Sequence, residues 1–220
     1  MFKMKLTKIN MFSLVVLAGL ALSSTSVLAA EAGSTSTPTN ITLEKGDDTG
    51  GETDPIIPID PLDPPAGGSL RIDAASAFNF GSLKLGSAVS KDVVVPKDQS
   101  IGVQVTDFRG SGDGWALTAK IDDLKGKKVP TNILKASISI PKGKISTTAD
   151  GDMQAPAVAV PLTLSKAAAP VMTAKKNNGL GIWANDFNGL DGTVTIKVPT
   201  NAYIDQYSAN ITWSLQDAPM

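Results

Sequence analysis

The amino-acid sequence predicts an all-β fold, an antiparallel β-sandwich preceded by a disordered linker rich in Pro, Asp and Thr. Three observations carry this. From residue 69 onward the chain is a succession of short runs with alternating or β-branched residues. Gly, Pro, Asn and Asp separate these runs at intervals usual for all-β domains. No window holds an apolar stripe of period 3.6 with a cap at each end.

Residues 1–30 read as a targeting segment. Lys3, Lys5 and Lys8 precede the apolar run MFSLVVLAGLAL, and small residues follow around Ala29 and Ala30. Charge, a short apolar core and a small-residue cleavage site define a secretory signal peptide. The run is well short of the ~20 apolar residues that a spanning helix needs. No other stretch approaches that length, so the mature chain is expected to carry no membrane span. No Leu-Pro-x-Thr-Gly sorting signal is present, so retention at a surface is expected to be non-covalent.

Residues 31–68 hold eight acidic residues and one lysine, with Asp-Pro at 54–55, 60–61 and 63–64. Few apolar groups offset the entropy of ordering, so the segment is expected to be a disordered or extended spacer. The folded domain is expected over 69–220.

That domain carries 16 Lys and Arg against 13 Asp. The balance is too mild for nucleic acid, and no basic motif supports such a partner. The chain has neither cysteine nor histidine. Disulfides, Ser-His-Asp and Cys-His centres and zinc sites built on His or Cys are therefore excluded, and no cofactor or metal site is expected. A two-carboxylate hydrolase is formally open, yet no acidic residue of the domain is Glu. A non-enzymatic role is expected.

The runs in order are SLRID, AFNFGS, KDVVVP, IGVQVTDF, WALTAKI, NILKASISIP, VAVPLTL, TVTIKVP and NITWSL. In the sixth, Leu134, Ala136, Ile138 and Ile140 fall on one face, opposite Lys135, Ser137 and Ser139. LSKAAAPVMTAKK is the best helix candidate, cut by Pro170. Trp183, in GLGIWANDFNG, is expected on a Gly-rich loop and to be more exposed than the other tryptophans.

Trp115-Ala-Leu117 and Trp213-Ser-Leu215 repeat one small pattern. In extended chain, Trp115, Leu117, Ala119 and Ile121 share a face, as do Ile211, Trp213 and Leu215. Such a face serves either as core or as a platform on which a sugar ring stacks. Asp107, Arg109 and Asp113 lie just before Trp115. They either fix sugar hydroxyls or form a structural ion pair and turn cap.

VQVTDFRGSGDGWALTAK, followed far downstream by YSANITWSLQDAP, resembles the WxL domain of Gram-positive surface proteins. Asp107-Phe108-Arg109-Gly110, Tyr207, Ala218-Pro219 and the aromatic-Gly pair Phe80-Gly81 strengthen the likeness, which spans nearly all of 69–220. The resemblance implies a secreted protein that anchors to the cell wall without covalent attachment, by binding peptidoglycan or another wall glycan. It also implies co-encoded surface proteins as partners, and Trp115, Leu117, Trp213 and Leu215 as the motif positions.

Overall fold

A computed structural model describes residues 37–46, 53–86, 89–148, 156–190 and 192–219. The expected signal peptide lies outside them. The fold belongs to the compact unit Thr42–Met220. Its described strands are β1 (Pro61–Gly67), β2 (Leu70–Ala75), β3 (Val89–Asp92), β4 (Gly102–Asp107), β5 (Trp115–Ile121), β6 (Leu124–Gly126), β7 (Ile133–Leu134) and β8 (Ser137–Ile140). They continue as β9 (Lys144–Thr147), β10 (Val158–Ala159), β11 (Leu162–Thr163), β12 (Ala169–Ala174), β13 (Gly181–Asp186), β14 (Thr195–Val198), β15 (Tyr207–Ser208) and β16 (Ile211–Gln216). The described residues contain no helix, and every strand pairing is antiparallel.

One sheet has the order β1-β2-β4-β13-β9 and a second β10-β12-β5-β16; a third has β11-β8-β14-β3 and a small fourth β15-β6-β7. The inner faces of the first three meet in one core that includes Val103, Val105, Trp115, Leu117, Ile138, Met172, Trp183 and Ile196. Each large apolar side chain fully removed from water there contributes about 1.5–3 kcal/mol. With no disulfide available, this shared core holds the sheets together.

Several expectations change. LSKAAAPVMTAKK is strand, not helix: it carries β12, which pairs with β5 and β10. Pro170 is tolerated because the register shifts between Pro170 and Met172, and a proline lacks only a ladder donor that an irregular position does not need. AFNFGS forms no strand. The Asn79 side chain accepts the Gly81 N–H at 2.8 Å, so a local turn takes the place of a ladder. NILKASISIP alternates as expected, with Ile138 and Ile140 buried, but it is split between β7 and β8 in different sheets.

Residues 37–46 carry no regular secondary structure, in keeping with an extended linker. The end of that linker differs. Residues 61–67 form β1 against β2, and 53–60 lie on the outer face of the same sheet. There the Ile56 N–H donates to Gln104 Oε1 at 2.8 Å, and Ile59 is buried. The isoleucines between the prolines supply the apolar surface that the rest of the linker lacks. The folded unit therefore takes in residues that the sequence reading assigned to the spacer.

Candidate functional site

The two Trp-x-Leu strands are neighbours. In the β5–β16 ladder Leu215 faces Leu117, and Trp213 faces Ala119. On the other side of β5, Trp115 faces Ala174 of β12. Each indole thus lies across from an alanine, the smallest side chain that still fills a strand position. Thr118 Oγ1 donates to the Ser214 carbonyl at 3.1 Å, a further link between the two strands.

The indoles have different surroundings. Trp115 is fully buried, and its Nε1–H donates to the Gly179 carbonyl at 3.0 Å. Gly179 has φ +74°, and a Cβ there would stand 2.3 Å from the Ala174 Cβ and 2.8 Å from Trp115 Nε1. Only glycine fits this approach. Trp213 is half-buried: its ring stacks on Phe187 with centroids 6.3 Å apart and 15° between planes, and meets Phe78 edge-on at 6.4 Å. Leu117 is buried and Leu215 half-buried.

Asp107 and Arg109 form a clamp. Arg109 Nε and Nη2 donate to the two Asp107 carboxylate oxygens, each at 2.9 Å. Nη2 also reaches the Gly114 carbonyl at 2.8 Å, and Nη1 the Asp217 carbonyl at 3.4 Å. One guanidinium therefore joins the end of β4, the entry to β5 and the residue after β16. The hydrogen bond from Asp107 raises the Arg109 pKa above its ordinary value against the opposing effect of burial. Asp107 is buried and fully engaged, so it serves as a structural ion pair. Asp113 stays exposed at the turn. Gly114, with φ +78°, leaves no room for a Cβ, which would lie 2.5 Å from the Ala174 carbonyl oxygen.

Trp183 is not on an exposed loop. It is central in β13, paired with Val105 of β4 and Thr147 of β9, and fully buried. Its Nε1–H donates to the Leu180 carbonyl at 2.8 Å. Of the glycines around it, Gly179 precedes the strand, Gly181 opens it and Gly189 follows it, so none makes a loop at Trp183.

Beside Trp213 a cleft of about 1490 Å³ opens between the sheets. Phe78, Phe80, Leu124, Ile138, Ile196 and Trp213 line it. Tyr203 and Ile204 stand at its mouth, 71% and 88% exposed. Of the motif residues, Trp213 alone reaches it; Trp115, Leu117, Leu215, Asp107 and Arg109 do not line it.

A second polar cluster was not anticipated from sequence. Arg71 and Asp73, 2% and 1% exposed, pair at 2.8 Å through Nε and Oδ1. Asp73 Oδ2 accepts from Thr106 Oγ1 at 2.5 Å and Gln104 Nε2 at 3.2 Å. Arg71 also bonds Thr53 Oγ1 and lies over the Phe108 ring at 5.6 Å. Arg71, Asp73, Gln104 and Thr106 alternate with the core residues Ile72, Val103 and Val105. That alternation of polar and apolar was the available signal. What hid the cluster was the sequence-distant strap over 53–60 that buries it.

The fold and site define a β-sandwich domain in which the two Trp-x-Leu strands are paired neighbours of one sheet. A family model described as WxL domain surface cell wall-binding matches residues 30–219. The chain belongs to this family, which places it among cell wall-binding surface proteins. Comparisons with curated proteins and with solved structures return no match.

Proposed function

We propose that this protein is exported, attaches to the Gram-positive cell wall without a covalent link by binding peptidoglycan, and serves adhesion or the assembly of a surface complex. Membership of a wall-binding family along nearly the whole chain carries the reading. No catalytic role is assigned to it: the chain lacks His and Cys, and every acidic residue from 69 onward is Asp. The motif residues act chiefly by building the domain that binds, since Trp115 and Leu117 are buried and Arg109 is occupied by Asp107. Incubation with purified, protein-free peptidoglycan sacculi tests this. The protein is expected in the pellet; recovery in the supernatant at modest salt refutes direct wall binding.

A second reading is that the domain binds a membrane-anchored or surface partner protein, which itself contacts the wall. The cleft supports it, because its apolar residues Phe78, Phe80, Leu124, Ile138 and Ile196 lie beside polar ones such as Asn79, Asp205 and Asn210, a mixture suited to a protein partner. Retention on cells that lack such partner proteins would count against it.

A further inference from the structure

We propose that the free edge of β16 is the interface with a second copy of this chain, the two β16 strands pairing antiparallel about a two-fold axis at Trp213. This does not rest on wall binding.

β16 ends its sheet, with β5 on one side and no described strand on the other. The other end strands of the described sheets are guarded. β1 holds Pro61, Pro64 and Pro65, β3 holds Lys91 and Asp92, and β9 holds Lys144. β7, β10, β11 and β15 are each 2 residues long. Prolines, charges and shortness all keep an edge from pairing with another chain. β16 has none of these: Ile211–Gln216 is 6 residues long, with no proline and no charge. None of its residues is buried, whereas Trp115 to Ala119 of its neighbour β5 all are.

The ladder shows which backbone groups the edge offers. Asn210 lies opposite Asp122 in the β5–β16 register, and the Asp122 N–H donates to the Asn210 carbonyl at 3.0 Å. Bonded and non-bonded pairs alternate along an antiparallel ladder. Asn210, Thr212, Ser214 and Gln216 therefore bond β5, while Ile211, Trp213 and Leu215 turn their N–H and C=O outward. Ile121, opposite Ile211, accordingly donates away from β16, to the Ser165 carbonyl at 2.9 Å.

The strand is its own complement, and this selects a second copy as the occupant. Outward from Trp213 on either side stand Ser214 and Thr212, then Leu215 and Ile211, then Gln216 and Asn210: hydroxyl, aliphatic, amide. A two-fold axis at Trp213 sets Trp213 against Trp213, Ile211 against Leu215 and Thr212 against Ser214, the second residue of each pair coming from the other copy. Every outward N–H and C=O of these residues then gains a partner. The apolar residues of both copies fall on the face where Trp213 packs on Phe78 and Phe187, and the polar ones on the opposite face. An aromatic pair on the axis with aliphatic pairs beside it makes favourable cross-strand neighbours. No charge within the paired stretch meets its own image; Asp217, just beyond it, falls opposite Ala209. Such a contact is isologous and closes at a dimer.

Thr212 and Ser214 carry the test, since both are exposed and the pairing sets them opposite each other. Sedimentation velocity of the full chain is expected to show a concentration-dependent monomer–dimer equilibrium and nothing larger. Thr212→Glu/Ser214→Glu brings like charges together across the join and is expected to stay monomeric with unchanged circular dichroism. Thr212→Glu/Ser214→Lys brings opposite charges together at the same positions and is expected to dimerise again. The chain has no native cysteine, so engineered thiols report cleanly. Thr212→Cys mixed with Ser214→Cys and oxidised is expected to give the mixed disulfide, because facing residues of a non-hydrogen-bonded pair are close enough for one. Monomer at every concentration overturns the proposal, as do species beyond dimer and dimers that persist in Thr212→Glu/Ser214→Glu. Preference of Thr212→Cys for a disulfide with itself overturns the axis at Trp213. Protection of Thr212→Cys from alkylation by sacculi, and not by a rise in its own concentration, gives the edge to the wall and overturns the second copy as its occupant. Wall binding is read separately, by pelleting of Thr212→Glu/Ser214→Glu with sacculi.

Discussion

Leu117 and Leu215 face each other across the β5–β16 ladder. Two copies of one short motif, nearly a hundred residues apart, thus meet as neighbours and close the same apolar face. The repeated pattern records a folding requirement: two adjacent antiparallel strands, each offering a large and a medium apolar group to one core.

The first expectation concerns the indoles. Trp115→Ala removes a fully buried ring and leaves a cavity, with a loss of about 3–5 kcal/mol in denaturant titration. Trp213→Ala, at a half-buried position, is expected to lose less, on the order of 1–3 kcal/mol. Acrylamide should quench Trp213 fluorescence while Trp115 and Trp183 stay protected. Equal quenching of all three would contradict the arrangement.

Gly179→Ala forces a Cβ into Ala174 and Trp115 at a positive φ. The expected loss is about 1–3 kcal/mol, seen as a lower melting temperature. Tolerance of alanine there would mean that the Trp115 Nε1 bond to Gly179 is not made as described.

Arg109→Ala leaves the buried Asp107 carboxylate without its bidentate partner, at a cost of about 2–4 kcal/mol. Arg109→Lys restores charge but not the fork, and should recover only part of it. The Arg109 pKa is raised in the folded state. Its contribution is thus complete below the unfolded value and is lost only as pH rises through the folded one. Stability between pH 6 and 9 should not depend on this group, which a pH series of unfolding midpoints would check.

Asp205 behaves in the opposite sense. The N–H of Lys128 first, then those of Val129 and Gln206, hold its pKa below the ordinary aspartate value. The carboxylate therefore supports the turn after β6 above about pH 4 and releases it as pH falls through the depressed value. The protection factors of the Lys128 and Val129 amides, each rate being compared with the intrinsic rate at the same pH, should fall on acidification in wild type and be low throughout in Asp205→Ala.

Gln104→Leu removes the acceptor of the Ile56 N–H and one donor to Asp73. The strap over 53–60 is expected to loosen, with faster protease cleavage there and little change in the β5–β16 core. Unchanged cleavage would show that Arg71 and Ile59 suffice to hold it.

Period-two alternation made the all-β class and the shared face of Trp and Leu in each motif legible, because side-chain direction in a strand is fixed locally. The pairing of Leu117 with Leu215 was not legible, since register depends on partners far along the chain. Trp183 was not legible as a core residue because glycine density suggests a loop, whereas Gly179 lies in the approach to β13 and Gly181 opens that strand. AFNFGS alternates like a strand, yet the Asn79 side chain competes with the ladder. The strap was hidden because Ile59 becomes buried, and Ile56 half-buried, only once Gln104 and Arg71 are positioned by β2 and β4. Asp107 and Arg109 were found by spacing, but their burial decided that they act on each other.

The place of β16 in its sheet also orders events in time. Its only described strand partner, β5, emerges nearly a hundred residues earlier in synthesis and must wait with its outer edge unpaired. The outer edge of β5 is covered only once the second motif is available, so the ladder that joins the two motifs forms late in synthesis.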